Sequence, residues 1–240
     1  MAKLRQGAAT AVCPKGEHVS SGGIIGQFRP PVGEGPEMFP EGMRRTAANK
    51  WTVYGLNNAA LTGSRLTAVA YCDHGAVPTV AQHTVSLPGL KVASAVATCP
   101  AGSVVVGGGY NSASSPGHLE IVIRFALLSP RDLVVSMGNF RTAATTLTAI
   151  AYCGHGVAPT EASSAVTLGA HKGGTARVNC PSGTSIVFGG VVTNSPGTSV
   201  KSFANLAPFS WSAASTKQWV VTGYNVGNLA GTLFAVAYCR

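Results

Sequence analysis

The side chains of this chain best suited to chemistry are its cysteines and histidines, six of each. Their spacing separates a metal site from a disulfide framework. Two cysteines open a Cys-x-His pair, Cys72-Asp73-His74 and Cys153-Gly154-His155, an arrangement that thiolate and imidazole metal ligands could use. The third matching cysteine, Cys239, is followed by Arg240 and no histidine, and there is no Cys-x-x-Cys pair. A histidine in a turn just after a strand is also an ordinary surface or capping residue. An even number of cysteines at matching positions reads instead as a disulfide framework of an oxidising setting. Cys13 and Cys72 are 59 residues apart, Cys99 and Cys153 are 54 apart, and Cys180 and Cys239 are again 59 apart. The simplest scheme is Cys13–Cys72, Cys99–Cys153 and Cys180–Cys239. Each bridge would close a long loop, worth roughly 4 kcal/mol in the chain-entropy account. It would also join the first strand of a repeat to its last, so those strands should be neighbours in one sheet or face each other across the core. No metal and no cofactor are expected.

Other catalytic arrangements fail on their residues. There is no Gly-x-Ser-x-Gly elbow, phosphate-binding P-loop, dinucleotide fingerprint or His-Glu-x-x-His. Glycoside hydrolysis needs paired carboxylates. The chain has eight acidic residues at unmatched positions, and only Glu120 and Asp132 fall in the second repeat. No catalytic residue is assigned, and the chain is not expected to be an enzyme. A ligand or partner surface has more to draw on. Trp51 and Trp219 hold equivalent positions, with Leu133 between them in the second repeat. Asn57, Asn139 and Asn225 follow at matching places, and Phe28 and Phe39 lie in an irregular segment. The tryptophans could stack on a sugar ring, but since leucine substitutes for them the core is the preferred reading. The asparagines suit turns that visit left-handed φ. Tyr71, Tyr152 and Tyr238 precede a half-cystine each time and should pack with the hydroxyl at the rim.

A threefold repeat positions these residues. Cys-Pro-x-Gly followed by Gly-Gly occurs at Cys13…Gly22-Gly23, Cys99…Gly108-Gly109 and Cys180…Gly189-Gly190. Each copy closes on Leu-x-Ala-[Val/Ile]-Ala-Tyr-Cys, at Leu66–Cys72, Leu147–Cys153 and Leu233–Cys239. Repeat units of about 9–72, 93–153 and 174–239 follow, with connecting segments 73–92 and 154–173. Each unit should hold about four short strands, with a turn after the first cysteine and a bulge or close backbone approach at Gly-Gly. The later units add a pair of strands around a Pro-Gly turn. The first carries Phe28–Pro40 instead, too rich in Pro and Gly for a strand or helix, and the whole loop from Phe28 to Lys50 is a candidate partner contact. The connectors repeat too: His74-Gly75-Ala76-Val77-Pro78-Thr79 matches His155-Gly156-Val157-Ala158-Pro159-Thr160. Repetition there favours one pseudo-threefold body, 1–240, over three tandem small β domains.

Composition agrees with an all-β chain. Charged residues make up 10%, with 30 Gly and 14 Pro, and no sustained helical periodicity is present. No run is long enough for a transmembrane helix. The net charge of +9 comes from basic residues scattered singly, apart from Arg44-Arg45, so no specific nucleic-acid footprint is present. The Met1–Arg5 segment lacks the apolar stretch of a signal peptide. An extracellular or virion-surface location then implies either a removed leader or release by another route, such as lysis.

With its three Greek-key units the chain resembles the β-prism architecture of the vitelline membrane outer layer protein I family and the jacalin-type lectins. Its Cys-Pro-x-Gly…Gly-Gly and Ala-x-Ala-Tyr-Cys signatures also resemble those of uncharacterised secreted bacterial proteins over nearly the whole chain, which implies no activity. No lectin residue carries over: the chain ends Ala237-Tyr238-Cys239-Arg240, and Gln-x-Asp-x-Asn-x-Val-x-Tyr is absent. The expected fold is all-β, three antiparallel Greek-key repeats in a pseudo-threefold, β-prism-like body. The expected function is a non-catalytic structural or interaction protein of an extracellular assembly, on a virion surface or tail or a cell envelope. Its partners would be other protein subunits. A carbohydrate-binding protein with a glycan partner is the alternative, and a secreted hydrolase a distant one.

Overall fold

Alternating small, β-branched and polar residues make strands throughout. The computed structural model describes residues 5–26, 38–57, 65–112, 119–194 and 206–240. The first repeat supplies β1 (Arg5–Val12), β2 (His18–Gly26), β3 (Met38–Ala47), β4 (Lys50–Asn57) and β5 (Leu66–Asp73). The second supplies β6 (Thr79–Leu87), β7 (Val92–Thr98), β8 (Val104–Ser112), β9 (Glu120–Ser129), β10 (Asp132–Asn139) and β11 (Thr145–Gly154). The third supplies β12 (Thr160–Leu168), β13 (Gly173–Asn179), β14 (Ile186–Asn194), β15 (Leu206–Ala213), β16 (Gln218–Asn225) and β17 (Gly231–Cys239). The fold is all-β, and no helix is present among the described residues.

Two expectations about local structure are corrected. The connecting segments 73–92 and 154–173 contain β6 and β12, which are full sheet members and not links between finished units. In addition, Met38–Ala47 forms β3 and Lys50 opens β4, so the later part of the Phe28–Lys50 segment, Phe39 and Pro40 included, is strand and not irregular loop. Pro40 is tolerated in the strand because the register against β4 shifts between Pro40 and Gly42, so a bulge absorbs the missing N–H. Phe28 and the Pro-Gly turns of the later repeats lie outside the described residues.

The strands form three antiparallel sheets in the orders β1-β4-β3-β8-β11-β6, β7-β10-β9-β14-β17-β12 and β13-β16-β15-β2-β5. Each sheet takes three strands from one repeat and the rest from another. The strands at the seams pair over very short stretches: Gly42 with Asn111 and Met43 with Tyr110, Phe125 with Val191 and Arg124 with Val192, and Trp211 with Ile24. Buried residues of all three sheets meet in one core, with Trp51, Trp211, Trp219, Phe125 and Phe188 among its largest members.

The Gly-Gly pairs explain how such seams close. A Cβ on Gly22 would collide with the Trp51 ring, one on Gly108 would lie 2.6 Å from Leu133 Cδ2, and one on Gly189 would collide with the Trp219 ring. The first glycine thus seats the large residue of its own repeat. The second admits the backbone across the seam: a Cβ on Gly23 would lie 2.7 Å from the Trp211 carbonyl, and those on Gly109 and Gly190 would meet the carbonyls of Met43 and Phe125.

The three repeat tyrosines seal the same seams, with their hydroxyls inside and not at the rim. Tyr152 accepts a hydrogen bond from the Arg45 N–H, Tyr238 from the Leu127 N–H and Tyr71 from the Ala213 N–H, each at 2.6 Å. Donor and acceptor belong to different repeats every time. Trp51 packs edge-on to Tyr152 and Trp219 edge-on to Tyr71, both at 6.1 Å. At the seam where leucine replaces tryptophan, Tyr238 stacks on Phe188 at 4.5 Å.

The bridges are Cys13–Cys72, Cys99–Cys153 and Cys180–Cys239, with Cα separations of 5.7, 5.6 and 5.7 Å. Their strands are not sheet neighbours. β1 and β5, β7 and β11, and β13 and β17 lie in different sheets each time. The three bridges therefore link the three sheets pairwise into a closed ring. Cys153 and Cys239 are 3% and 1% exposed, whereas Cys72 is exposed.

Tyr152→Phe is expected to strand the buried Arg45 N–H and cost about 1–3 kcal/mol in guanidinium unfolding. Burial disfavours the Tyr152 phenolate, against the opposing Arg45 N–H bond, and pushes its pKa from the ordinary 10.0 up to about 12; Tyr71 and Tyr238 shift in the same direction. Because the folded state holds these protons longer than the unfolded chain, stability should be full below about pH 10 and fall as pH rises toward about 12, with unfolding curves across that range as the measurement. Under native conditions dithiothreitol should open Cys13–Cys72 before the other two bridges, as followed by thiol labelling and peptide mapping.

Candidate functional site

The repeat motifs converge at one end of the fold. The late half-cystines Cys72 and Cys153 and the chain's final residues approach each other around a depression of about 660 Å³. β2 and β5 bring His18 and Asp73 to it, the starts of β8 and the turn after β11 bring Ser103 and His155, and Arg240 follows β17. All three repeats thus contribute to one concavity of mixed character, in which a carboxylate, imidazoles and a guanidinium stand among apolar side chains such as Val77, Val106 and Ile186. Such a lining suits a polar or ionic contact.

Some groups at the concavity and beside it already have partners. His74 Nε2 lies 3.4 Å from a Glu17 carboxylate oxygen, and the His74 N–H donates to Asp73 Oδ1 at 2.7 Å. His155 Nδ1 is 3.2 Å from the Gly102 carbonyl. The sulfurs of both Cys-x-His pairs are consumed in bridges, so neither is available as a thiolate ligand.

The residues proposed from sequence as a ligand or partner surface are mostly internal. Trp51 and Trp219 are fully buried, and their indole N–H groups donate to the carbonyls of Gly23 and Gly190 at 3.2 and 3.0 Å. Phe39 is 5% exposed and packs with Ile121 and Ala207 in a small second cluster. These side chains cannot present a stacking platform. Asn57 is half-buried at the end of β4.

Asn139 and Asn225 are fully buried, and they do not adopt left-handed φ. Asn139 Nδ2 donates to the carbonyls of Leu87 and Ala143 at 3.3 and 2.8 Å, and its Oδ1 accepts the Arg141 N–H at 2.9 Å. Asn225 repeats the pattern with Leu168, Leu229 and the Gly227 N–H. Each amide ties the end of a connector strand to the following turn. Among the described residues other than glycine, those with left-handed φ are Leu90 and His171, at matching points in the β6–β7 and β12–β13 turns.

Sequence reasoning missed a pair of buried carboxylates at the other end of β8. Glu41 and Glu120, from different repeats, are 2% and 0% exposed. Ser112 Oγ donates to Glu120 Oε2 at 3.2 Å and contacts the Glu41 carbonyl at 3.0 Å, and Gln6 Nε2 donates to Glu41 Oε2 at 2.9 Å. Their hydrogen bonds are what make burial of such groups tolerable. No repeat signal could have found them, because the two acids hold unmatched positions. No protein-family model matches the chain, and no curated protein matches it either.

Asn225→Ala should unpair the carbonyls of Leu168 and Leu229 and lower unfolding stability by about 1–3 kcal/mol. A glycan-binding role for this residue would instead appear as lost sugar binding at unchanged stability.

Proposed function

We propose that the chain is a non-catalytic structural and interaction module of an extracellular assembly, such as a virion surface or tail or a cell envelope. The observation that carries this reading is where the repeated functional groups go. Six half-cystines cross-link the three sheets, three tyrosines seal the seams, and the repeat tryptophans and two of the three repeat asparagines, Asn139 and Asn225, are spent inside the frame. A catalyst needs paired groups held free to exchange protons with a substrate, and the repeat invests its chemistry in rigidity. Three bridges suit an oxidising setting. No helix of the described residues is long and apolar enough to cross a membrane.

The basic surface, with a net charge of +9, would help the module sit on an acidic lattice or envelope. That attraction should weaken as salt shortens the screening length from about 10 Å at 0.1 M to about 3 Å at 1 M. Light scattering across protein concentrations and salt levels, beside a broad hydrolase screen and a glycan array, tests the reading. Salt-sensitive association without turnover is expected. Turnover abolished by a single substitution would overturn it, and a non-associating chain that captures one glycan class would favour a lectin.

A further inference from the structure

One seam carries charge that the other two do without. Tyr152, Tyr238 and Tyr71 accept the N–H groups of Arg45, Leu127 and Ala213, so these three residues are equivalent, as are Arg44, Ala126 and Ser212 before them. Leucine and alanine supply the sealing N–H as well as arginine does. The two guanidinium groups are therefore additions to the frame. Arg44 and Arg45 are also the only adjacent pair of basic residues in the chain.

Both arginines line a cleft of about 460 Å³ whose lining residues all belong to β3, β6 and β11. Between β3 and β11, β8 sets Gly107 opposite Tyr152 and Gly109 opposite Ile150, so that strand puts no side chain into the space. β6 supplies the far wall, with exposed Val80 paired to Tyr152 and exposed Gln82 paired to Ile150. Next along the same face come Asn111, Thr148 and Thr84, the two threonine hydroxyls 2.8 Å apart. The Arg45 guanidinium donates to the carbonyls of Val19 and Pro78 at 3.2 and 2.6 Å and lies over the Tyr152 ring at 4.7 Å. Arg44 lies over the Tyr54 ring at 5.4 Å, and both guanidinium groups are near enough to Tyr152 to favour its phenolate. Both side chains are half-buried, yet among the described residues neither forms an ion pair with a carboxylate. Burial lowers the Arg45 pKa against the opposing pull of Tyr152, as for a cation partly stripped of water and not neutralised. Such a charge carries a free-energy cost that an incoming anion offsets.

We infer that this cleft binds an acidic saccharide, a sugar that carries a sulfate or carboxylate group. The guanidinium fork matches the paired oxygens of either anion and holds them bidentately. A sugar ring also presents a C–H face, which Val80 and Ile150 suit, and hydroxyls, which the Gln82 amide can engage. Asn111, Thr148 and Thr84 continue the hydrogen-bonding row for the next units of a polymer. Nucleic acid fits less well, since its phosphates call for a run of basic groups and the other basic residues are scattered singly. The inference rests on the reading of the chain as an interaction module on an acidic envelope or lattice, and deepens it by naming where the attraction is focused and which anion carries it.

The test is calorimetric titration of the full chain with a sulfated heparin tetrasaccharide, a tetragalacturonate and neutral cellotetraose. The acidic sugars should bind and the neutral one should not, with amide shifts on binding grouped at Arg44–Thr46, Val80–Gln82 and Ile150–Tyr152. Arg44→Gln should weaken binding roughly tenfold, the loss of one charge-assisted contact. The Arg44 side chain makes no hydrogen bond among the described residues, so the variant should unfold at the parent temperature. Arg177→Gln removes the same charge from an exposed position on β13, in another sheet, and should change binding by less than about twofold. Failure of both acidic sugars to bind, equal binding of cellotetraose, full binding by Arg44→Gln, an equal loss in Arg177→Gln, or shifts centred elsewhere would each overturn the inference. Tighter binding of a single-stranded DNA of matched charge would do so too, by making the cleft a nucleic-acid site. If the cleft takes no acidic sugar but the chain still shows salt-sensitive association in the scattering experiment, the assembly reading stands and the cleft alone has failed.

Discussion

Backbone approach at three seams is the constraint on which the structure depends. Each sheet is completed by strands of a second repeat, yet the seam strands exchange only one or two residue pairs. Glycine at the second position of each Gly-Gly pair removes the Cβ that would hold the backbones apart. The tyrosine hydroxyl then satisfies an N–H that the short ladder leaves without a strand partner. An unpaired buried N–H is costly, so glycine and tyrosine act together: one permits the approach and the other makes it electrostatically complete.

The bridges act at other places: each joins two strands of one repeat that lie in different sheets, and all the half-cystines but Cys72 belong to the core. Because each links strands of different sheets, no bridge merely reinforces a ladder that hydrogen bonds already hold. Together they close the circuit of sheets. In the unfolded chain each also closes a loop of 54 or 59 residues, so its effect extends to the entropy of the denatured state. A frame stabilised in this way leaves little of its repeated chemistry available for a ligand.

Features particular to this molecule arise where the symmetry fails. The concavity takes unlike residues from the three repeats, His18 and Asp73 from one, His155 from another and Arg240 from the last. The buried Glu41 and Glu120 meet at a single seam. Among the described residues β5 is the last strand of its sheet, whereas its counterparts β11 and β17 have β6 and β12 beside them. A symmetric frame supplies rigidity three times over, and its departures supply surfaces that occur once.

The repeat, the strand-rich fold and the cysteine pairing were legible from the residues because they are periodic, and a fixed period needs no knowledge of distant contacts. The close approach at Gly-Gly was legible for the same reason, since glycine in a strand has few other uses. What each strand pairs with was not. Strands of one alternation pattern fit many neighbours equally well, and only the tertiary structure sent β8 to β3 and β14 to β9. That choice carried the bridged strands into different sheets and turned two apparent connectors into sheet members. Phe39 and Pro40 looked irregular because their acceptability depends on a bulge and on a pocket formed by Ile121 and Ala207. The roles of Asn139 and Asn225 were hidden because each amide meets a carbonyl more than 50 residues away, Leu87 and Leu168. Local chemistry and repetition determined the parts and their bonds along the chain; long-range hydrogen bonding decided which repeat each part completes.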